Sequence, residues 1–105
     1  MPMNQTQVNS PMYVRVTTFK IDPKRLPELA ETVKEMRRLT KALPGLQDAY
    51  VSWREDGQGS VISIYESKAR AEAAAGRIQA IWGAVAGLVT SVPRVDIYDT
   101  VEKIA

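Results

Sequence analysis

Histidine and cysteine are both missing from this chain of 105 residues, and the two absences exclude most familiar site chemistries. Without histidine there is no Ser-His or Cys-His pair, and the commonest general base, metal ligand and haem ligand are all lost. Without cysteine there is no disulfide framework and no thiolate, which fits a reducing compartment, and a cytoplasmic location is expected. A metal site would have to be built from oxygen alone, and no cluster of Asp and Glu has calcium-loop spacing. No metal and no cofactor is therefore expected. No run approaches the roughly 20 apolar residues that span a bilayer, so no membrane segment is expected. Residues 1–11 contain neither Lys nor Arg and no apolar block. They lack the pattern of a secretory signal and read as a flexible N-terminal tail, with one domain over residues 12–105.

Charge of one sign is also scarce. Fourteen basic residues face twelve acidic ones, a formal net charge of +2. So small and scattered an excess gives no electrostatic case for nucleic acid or an anionic membrane. What the chain does have is an ordinary globular composition, 45% hydrophobic and 25% charged, enough for one core.

Periodicity then orders the elements. Residues 13–19 alternate with β-branched and aromatic side chains and predict a first strand. Asp22-Pro23 offers an N-cap followed by proline at the first helical position. Leu26, Leu29, Val33, Met36, Leu39 and Leu43 then step by threes and fours, which predicts a helix over residues 23–43, closed by Pro44-Gly45. Two strands, over residues 46–54 and 59–66, flank a turn in which Gly57 and Gly59 are free to take positive φ. Ser67 can cap a second helix, whose apolar face continues through Ile78, Ile81, Trp82 and Val85. Gly83 and Gly87 predict a kink or break before Pro93. Residues 94–101 read as the last strand. The order β-α-β-β-α-β with short loops predicts an α+β, ferredoxin-like fold: a four-stranded antiparallel sheet of order 4-1-3-2 with both helices on one face.

Two-residue alternation divides the strands into two sets. Val14, Val16, Val51, Trp53, Ile62, Ile64, Val95 and Ile97 are expected to meet the helices. Tyr13, Tyr50, Tyr65 and Tyr98, all four tyrosines of the chain, are expected on the opposite face with Phe19, Arg15, Arg54, Asp96, Ser52 and Ser63. A bulge would shift a strand's members between faces. Each aromatic side chain can bury about 150–250 Å², so such a face predicts a cover, most simply a second copy of the same sheet in a homodimer.

Several stretches together carry a resemblance: Leu-Pro-Gly-Leu at 43–46, Trp-Arg-Glu-Asp-Gly-Gln-Gly at 53–59, Tyr-Glu-Ser-Lys-Ala-Arg-Ala at 65–71 and Pro-Arg-Val-Asp-Ile-Tyr at 93–98. With the element order, they resemble the antibiotic biosynthesis monooxygenase family of the dimeric α+β barrel superfamily, over about residues 12–101. The resemblance implies a homodimer with a pocket between sheet and helices or inside the barrel. Some members of the family oxidise polyphenols with molecular oxygen and no metal or flavin, the substrate anion supplying the electrons. Others degrade haem, bind aldehydes or have no known activity. The haem-degrading branch carries an Asn, Trp and His set; here histidine is absent and residues 13–19 contain no asparagine, so haem degradation is not expected.

The function expected on this basis is a small cofactor-independent monooxygenase acting on a phenolic or quinol-like molecule. Tyr65, Arg15 and Asp96 are the candidate catalytic residues, with Asp96 as general base if burial raises its pKa. Tyr13, Tyr50, Tyr98, Arg54 and Ser63 are the candidate substrate-binding residues. Asp96 could instead simply pair with Arg15. The alternative is a non-catalytic homodimer that binds a small aromatic or acidic ligand, or only itself. RNA binding is a third reading, since RNA-recognition motifs share the element order; yet residues 59–65, Gly-Ser-Val-Ile-Ser-Ile-Tyr, carry one aromatic and no cation.

Overall fold

The structure, a computed structural model, describes residues 12–105. The tail expected over residues 1–11 lies outside the described residues. Four strands, β1 (Tyr13–Lys20), β2 (Leu46–Trp53), β3 (Gln58–Tyr65) and β4 (Arg94–Tyr98), form one sheet in the order β2-β3-β1-β4. Every pairing is antiparallel. A long helix, α1 (Leu26–Thr40), and two shorter ones, α2 (Lys68–Ala73) and α3 (Ala75–Val85), cover one face. This is the expected α+β, ferredoxin-like arrangement.

Local chemistry accounts for the element ends. The Asp22 carboxylate accepts the Lys24 backbone N–H at 2.9 Å and starts a 3-10 turn, Pro23–Arg25, that leads into α1. The Arg25 guanidinium donates to the Gly87 carbonyl at 2.7 Å, so the start of α1 is tied to the chain leaving α3. Gly45 takes φ +81° after α1, and its carbonyl accepts the Glu66 N–H at 2.8 Å. Ser67 caps α2 by accepting the Arg70 N–H.

Two expectations about glycine are corrected. Gly57 takes φ +90° in the β2–β3 turn, but Gly59 does not; it lies in β3 directly across from Phe19. A Cβ there would come within 2.3 Å of the Phe19 ring, so Gly59 is needed for space and not for backbone freedom. The second helical segment breaks at Ala74, between α2 and α3, whereas Gly83 lies inside α3. Helix α3 ends at Val85, and an isolated bridge between Ile21 and Val89 then fixes the chain beside β1.

The face assignment is corrected for half of the sheet. Register pairs Tyr13 with Tyr65, Arg15 with Ser63, Thr17 with Val61 and Phe19 with Gly59. These residues lie beneath the helices. Phe19 packs edge-on against Trp82 of α3 with ring centroids 6.0 Å apart, and Tyr65 is 1% exposed among Leu43, Ala71, Ala74 and Ile78. The even-numbered residues Val14, Val16, Ile62 and Ile64 therefore lie on the open face, opposite to expectation. Strands β2 and β4 keep the expected sides: Val51 packs inward, Ile97 lies across from Arg15, and Tyr50 and Tyr98 lie on the open face at 62% and 54% exposure. The four tyrosines do not share a face. The cause is the hairpin register. Val51 sits opposite Val61 and Trp53 opposite Gly59, which places odd-numbered residues of both strands on the same side.

Candidate functional site

Beneath the helices the sheet presents Arg15, Thr17, Ser63 and Tyr65 where aliphatic side chains were expected. They line a cavity of about 40 Å³ closed by Met36, Thr40 and Leu43 on one side and by Ile78, Ile81 and Trp82 on the other. A water needs about 10–15 Å³ by this measure, so the cavity has room for about three. It adjoins two larger spaces. A recess of about 90 Å³ shares Arg15, Tyr65 and Ile78 with it and is completed by Tyr13, Glu72 and Ile97. A cleft of about 290 Å³ between α1 and β2 shares Met36, Thr40, Ala49 and Val61 with it.

Thr17 is 2% exposed and Ser63 is 9% exposed. The Ser63 hydroxyl donates a long 3.5 Å hydrogen bond to the Arg15 carbonyl. The Arg15 Nε is buried and has no hydrogen-bond partner. A buried donor left unpaired costs about 1–3 kcal/mol, more for a charged group, and Arg15 bears this beside the cavity. A guanidinium lining both the cavity and the recess is a group that could stabilise an oxyanion by charge and by hydrogen bonds together.

The sequence-derived candidates divide into three groups. Tyr13, Arg15, Ser63 and Tyr65 come together at this cavity and its recess. Asp96, Tyr50 and Tyr98 lie on the other face; Asp96 is opposite Val16 and pairs with Arg94 at 3.1 Å, not with Arg15. Arg54 belongs to the β2–β3 turn, where it pairs with Asp56 at 2.9 Å. Thr17, Thr40, Trp82 and Glu72 were not singled out from sequence. Thr17 could have been found from its place two residues after Arg15, but the others reach the cavity only through helix packing. Among the described residues no three of His, Cys, Asp and Glu are grouped to hold a metal ion, and no helix is long and apolar enough to cross a membrane.

No family model matches the sequence, and no curated protein matches it. Solved structures do match. One is a candidate antibiotic biosynthesis monooxygenase from Caulobacter crescentus CB15, 19% identical, covering 94% of this chain and 99% of its own, with TM-score 0.75. Another is SnoaB, a cofactor-independent oxygenase from Streptomyces nogalater, 12% identical over 90% of this chain and 97% of its own, with TM-score 0.71. A third, a protein of unknown function from Nitrosomonas europaea, has TM-score 0.76 at 14% identity, covering 92% and 96%. At these identities the shared property is the fold, and it extends over nearly the whole of each chain.

Proposed function

We propose that the chain is a cofactor-independent monooxygenase of the antibiotic biosynthesis type, acting on a phenolic or quinol-like molecule whose oxygen-bearing end meets the cavity beneath the helices while its ring occupies the larger spaces that adjoin it. The observation that carries this reading is the buried Arg15 Nε without a hydrogen-bond partner, beside the Tyr65 phenol and the Ser63 and Thr17 hydroxyls. The fold shared with SnoaB and the Caulobacter protein supports it. In this role Arg15 stabilises the phenolate or enolate form of the substrate, and Tyr65 donates to a substrate oxygen. The substrate anion reduces molecular oxygen, a C–O bond forms to give a hydroperoxide, and loss of water from it leaves a carbonyl. One oxygen atom stays in the product, the other leaves in water, and all the electrons come from the substrate.

The reading includes a second copy of the chain on the open sheet face. Val14, Val16, Ile62, Ile64, Tyr50 and Tyr98 form an apolar surface that no part of the described chain covers, with Ile62 37% exposed. A homodimer that binds a small aromatic ligand without turnover is the second reading. It is favoured by the position of Asp96, which leaves Glu72 at the rim as the only carboxylate among the described residues lining these three spaces.

An oxygen electrode with a panel of phenols and quinols separates the two. Oxygen uptake is expected from the wild type, with a fall of about a hundredfold or more in Arg15→Met, the scale of losing one stabilising donor, and a smaller fall in Tyr65→Phe. Saturable binding of the same compounds without oxygen uptake would leave only the second reading.

A further inference from the structure

Among the described residues, the cleft between α1 and β2 has one cation without an ion pair. Arg25, Lys34 and Arg38 are each paired with a carboxylate three residues away, Glu28, Glu31 and Glu35. Arg37 has no ion pair among the described residues and is exposed on the wall of the cleft. The rest of that wall is apolar (Val33, Met36, Ala49, Val51 and Val61), with a hydroxyl from Thr40. A free guanidinium beside an apolar trough fits an amphipathic anion: the ring lies against the aliphatic side chains and the guanidinium takes the oxyanion, bidentate where geometry allows.

Space points the same way. At about 40 Å³ the inner cavity is too small for an aromatic ring, while the cleft, at about 290 Å³, is not. Met36, an unbranched and readily re-posed side chain, borders both spaces.

We propose that this cleft is a second subsite, which takes the aromatic body and the carboxylate or other oxyanion end of an elongated small molecule, with Arg37 as its anion anchor. The molecule's other end then faces Arg15. The inference rests on the reading of the inner cavity as a ligand site, and it narrows the substrate class to phenols bearing an acidic group.

The test compares two probes with the same ring system, 8-anilino-1-naphthalenesulfonate and the uncharged N-phenyl-1-naphthylamine, by fluorescence titration. Wild type is expected to bind the sulfonate about three- to fivefold more tightly, the range an exposed ion pair supplies, and to lose that preference in high salt. Arg37→Gln should abolish the preference without changing affinity for the uncharged probe, and Arg37→Lys should restore part of it. Thr40→Trp, which fills the cleft, should weaken both probes. Arg37 also lies in the last turn of α1, where a cation offsets the charge of the helix carbonyls. A structural role of that kind would lower the melting temperature of Arg37→Gln and leave the probe preference intact. That result would overturn the proposal, as would equal binding of the two probes, absence of saturable binding, or binding that survives Thr40→Trp. Oxygen uptake is measured separately: a protein that keeps the Arg37-dependent preference without consuming oxygen retains this subsite and loses the oxygenase reading.

Discussion

Strands β1 and β3 have exchanged the chemistry expected of their two faces, while β2 and β4 keep theirs. Beneath the helices, where oil is expected, β1 and β3 present two phenols, a guanidinium and two hydroxyls, from Tyr13, Arg15, Thr17, Ser63 and Tyr65. On the open face, where polarity is expected, they present Val14, Val16, Ile62 and Ile64. The difference separates two functions that alternation alone had merged. Hydroxyls and a charge enclosed by helices suit a ligand, since an enclosed polar group gains most from a partner. Branched aliphatic side chains on a bare sheet suit another sheet, since they pack well and need no partner for polar atoms. On the proposed reading, ligand binding and dimerisation therefore use different residues, and substitutions on one face should leave the other function standing.

The largest effect that could break this comparison is on stability. Tyr65 is almost fully buried, and Tyr65→Ala should destabilise the fold by about 3–5 kcal/mol, the range for truncating a large aromatic core side chain. Tyr98 is half exposed on the other face, and Tyr98→Ala should remove about 1 kcal/mol of intrachain stability. Any further loss at Tyr98 should depend on protein concentration, because it would come from the interface. Urea unfolding at two concentrations an order of magnitude apart measures both terms. Equal, concentration-independent losses at the two positions would mean that both rings are core.

Next in size is the association itself. Ile62→Asp places a carboxylate in the middle of the aliphatic face, and burying it unpaired between two copies costs about 3 kcal/mol or more, roughly a hundredfold in Kd. The variant should sediment as a folded single chain where the wild type is expected to sediment as the proposed dimer, and it should keep its affinity for ligands in the cavity. A wild type that sediments at the mass of one chain would leave the open face without the role given to it.

Much of this architecture was legible in the sequence, and the part that was not has a specific cause. Asp22-Pro23 and Ser67 marked helix starts by chemistry that acts within a few residues, and the structure places them there, whereas α1 ends at Thr40, before Pro44-Gly45, and Gly45 instead leads into β2. Alternation also separated the residues of each strand into two sets correctly. It could not say which set faces the helices, because β1 is apolar on both sides: Val14 and Val16 on one, Tyr13 and Phe19 on the other. The deciding contacts are long-range, with Phe19 lying over Gly59 and against Trp82. A glycine in a strand is the one local hint that an aromatic ring crosses it. The candidate site shared this fate. Arg15, Ser63 and Tyr65 were read as chemically active types, but placed on the wrong side. The helix residues that close the cavity over them, Met36, Ile78 and Trp82, carry no site signal because at helical spacing they read as core. The shift between Leu46 and Asp48, where β2 slips by one residue against β3, has no signature in composition.

The smallest effect concerns acid, and it tests whether the two faces are independent of the surface that frames them. Asp56, in the β2–β3 turn, has its pKa held below the ordinary 3.8, first by the Gln58 backbone N–H and then by Arg54. Glu28 and Glu35 on α1 are held below 4.5, each chiefly by the hydrogen bond from its arginine, Arg25 and Arg38. A carboxyl whose pKa is lower in the folded chain stabilises the fold at a pH above its unfolded value, and the contribution disappears as pH falls through the folded value. The urea midpoint should therefore be insensitive to these groups at neutral pH and decline only below about pH 4, near ordinary carboxylate values. All three groups are exposed, so the decline should be shallow and further reduced by salt. Asp56→Asn keeps a side-chain oxygen for the Gln58 N–H while removing the charge that meets Arg54. It should flatten part of the acid limb and change neither dimer mass nor probe binding at pH 7. A variant with an unaltered acid limb would show that the turn carboxylate contributes nothing; one that shifts the dimer or the probe affinity would show that the turn, the cavity and the open face are mechanically coupled.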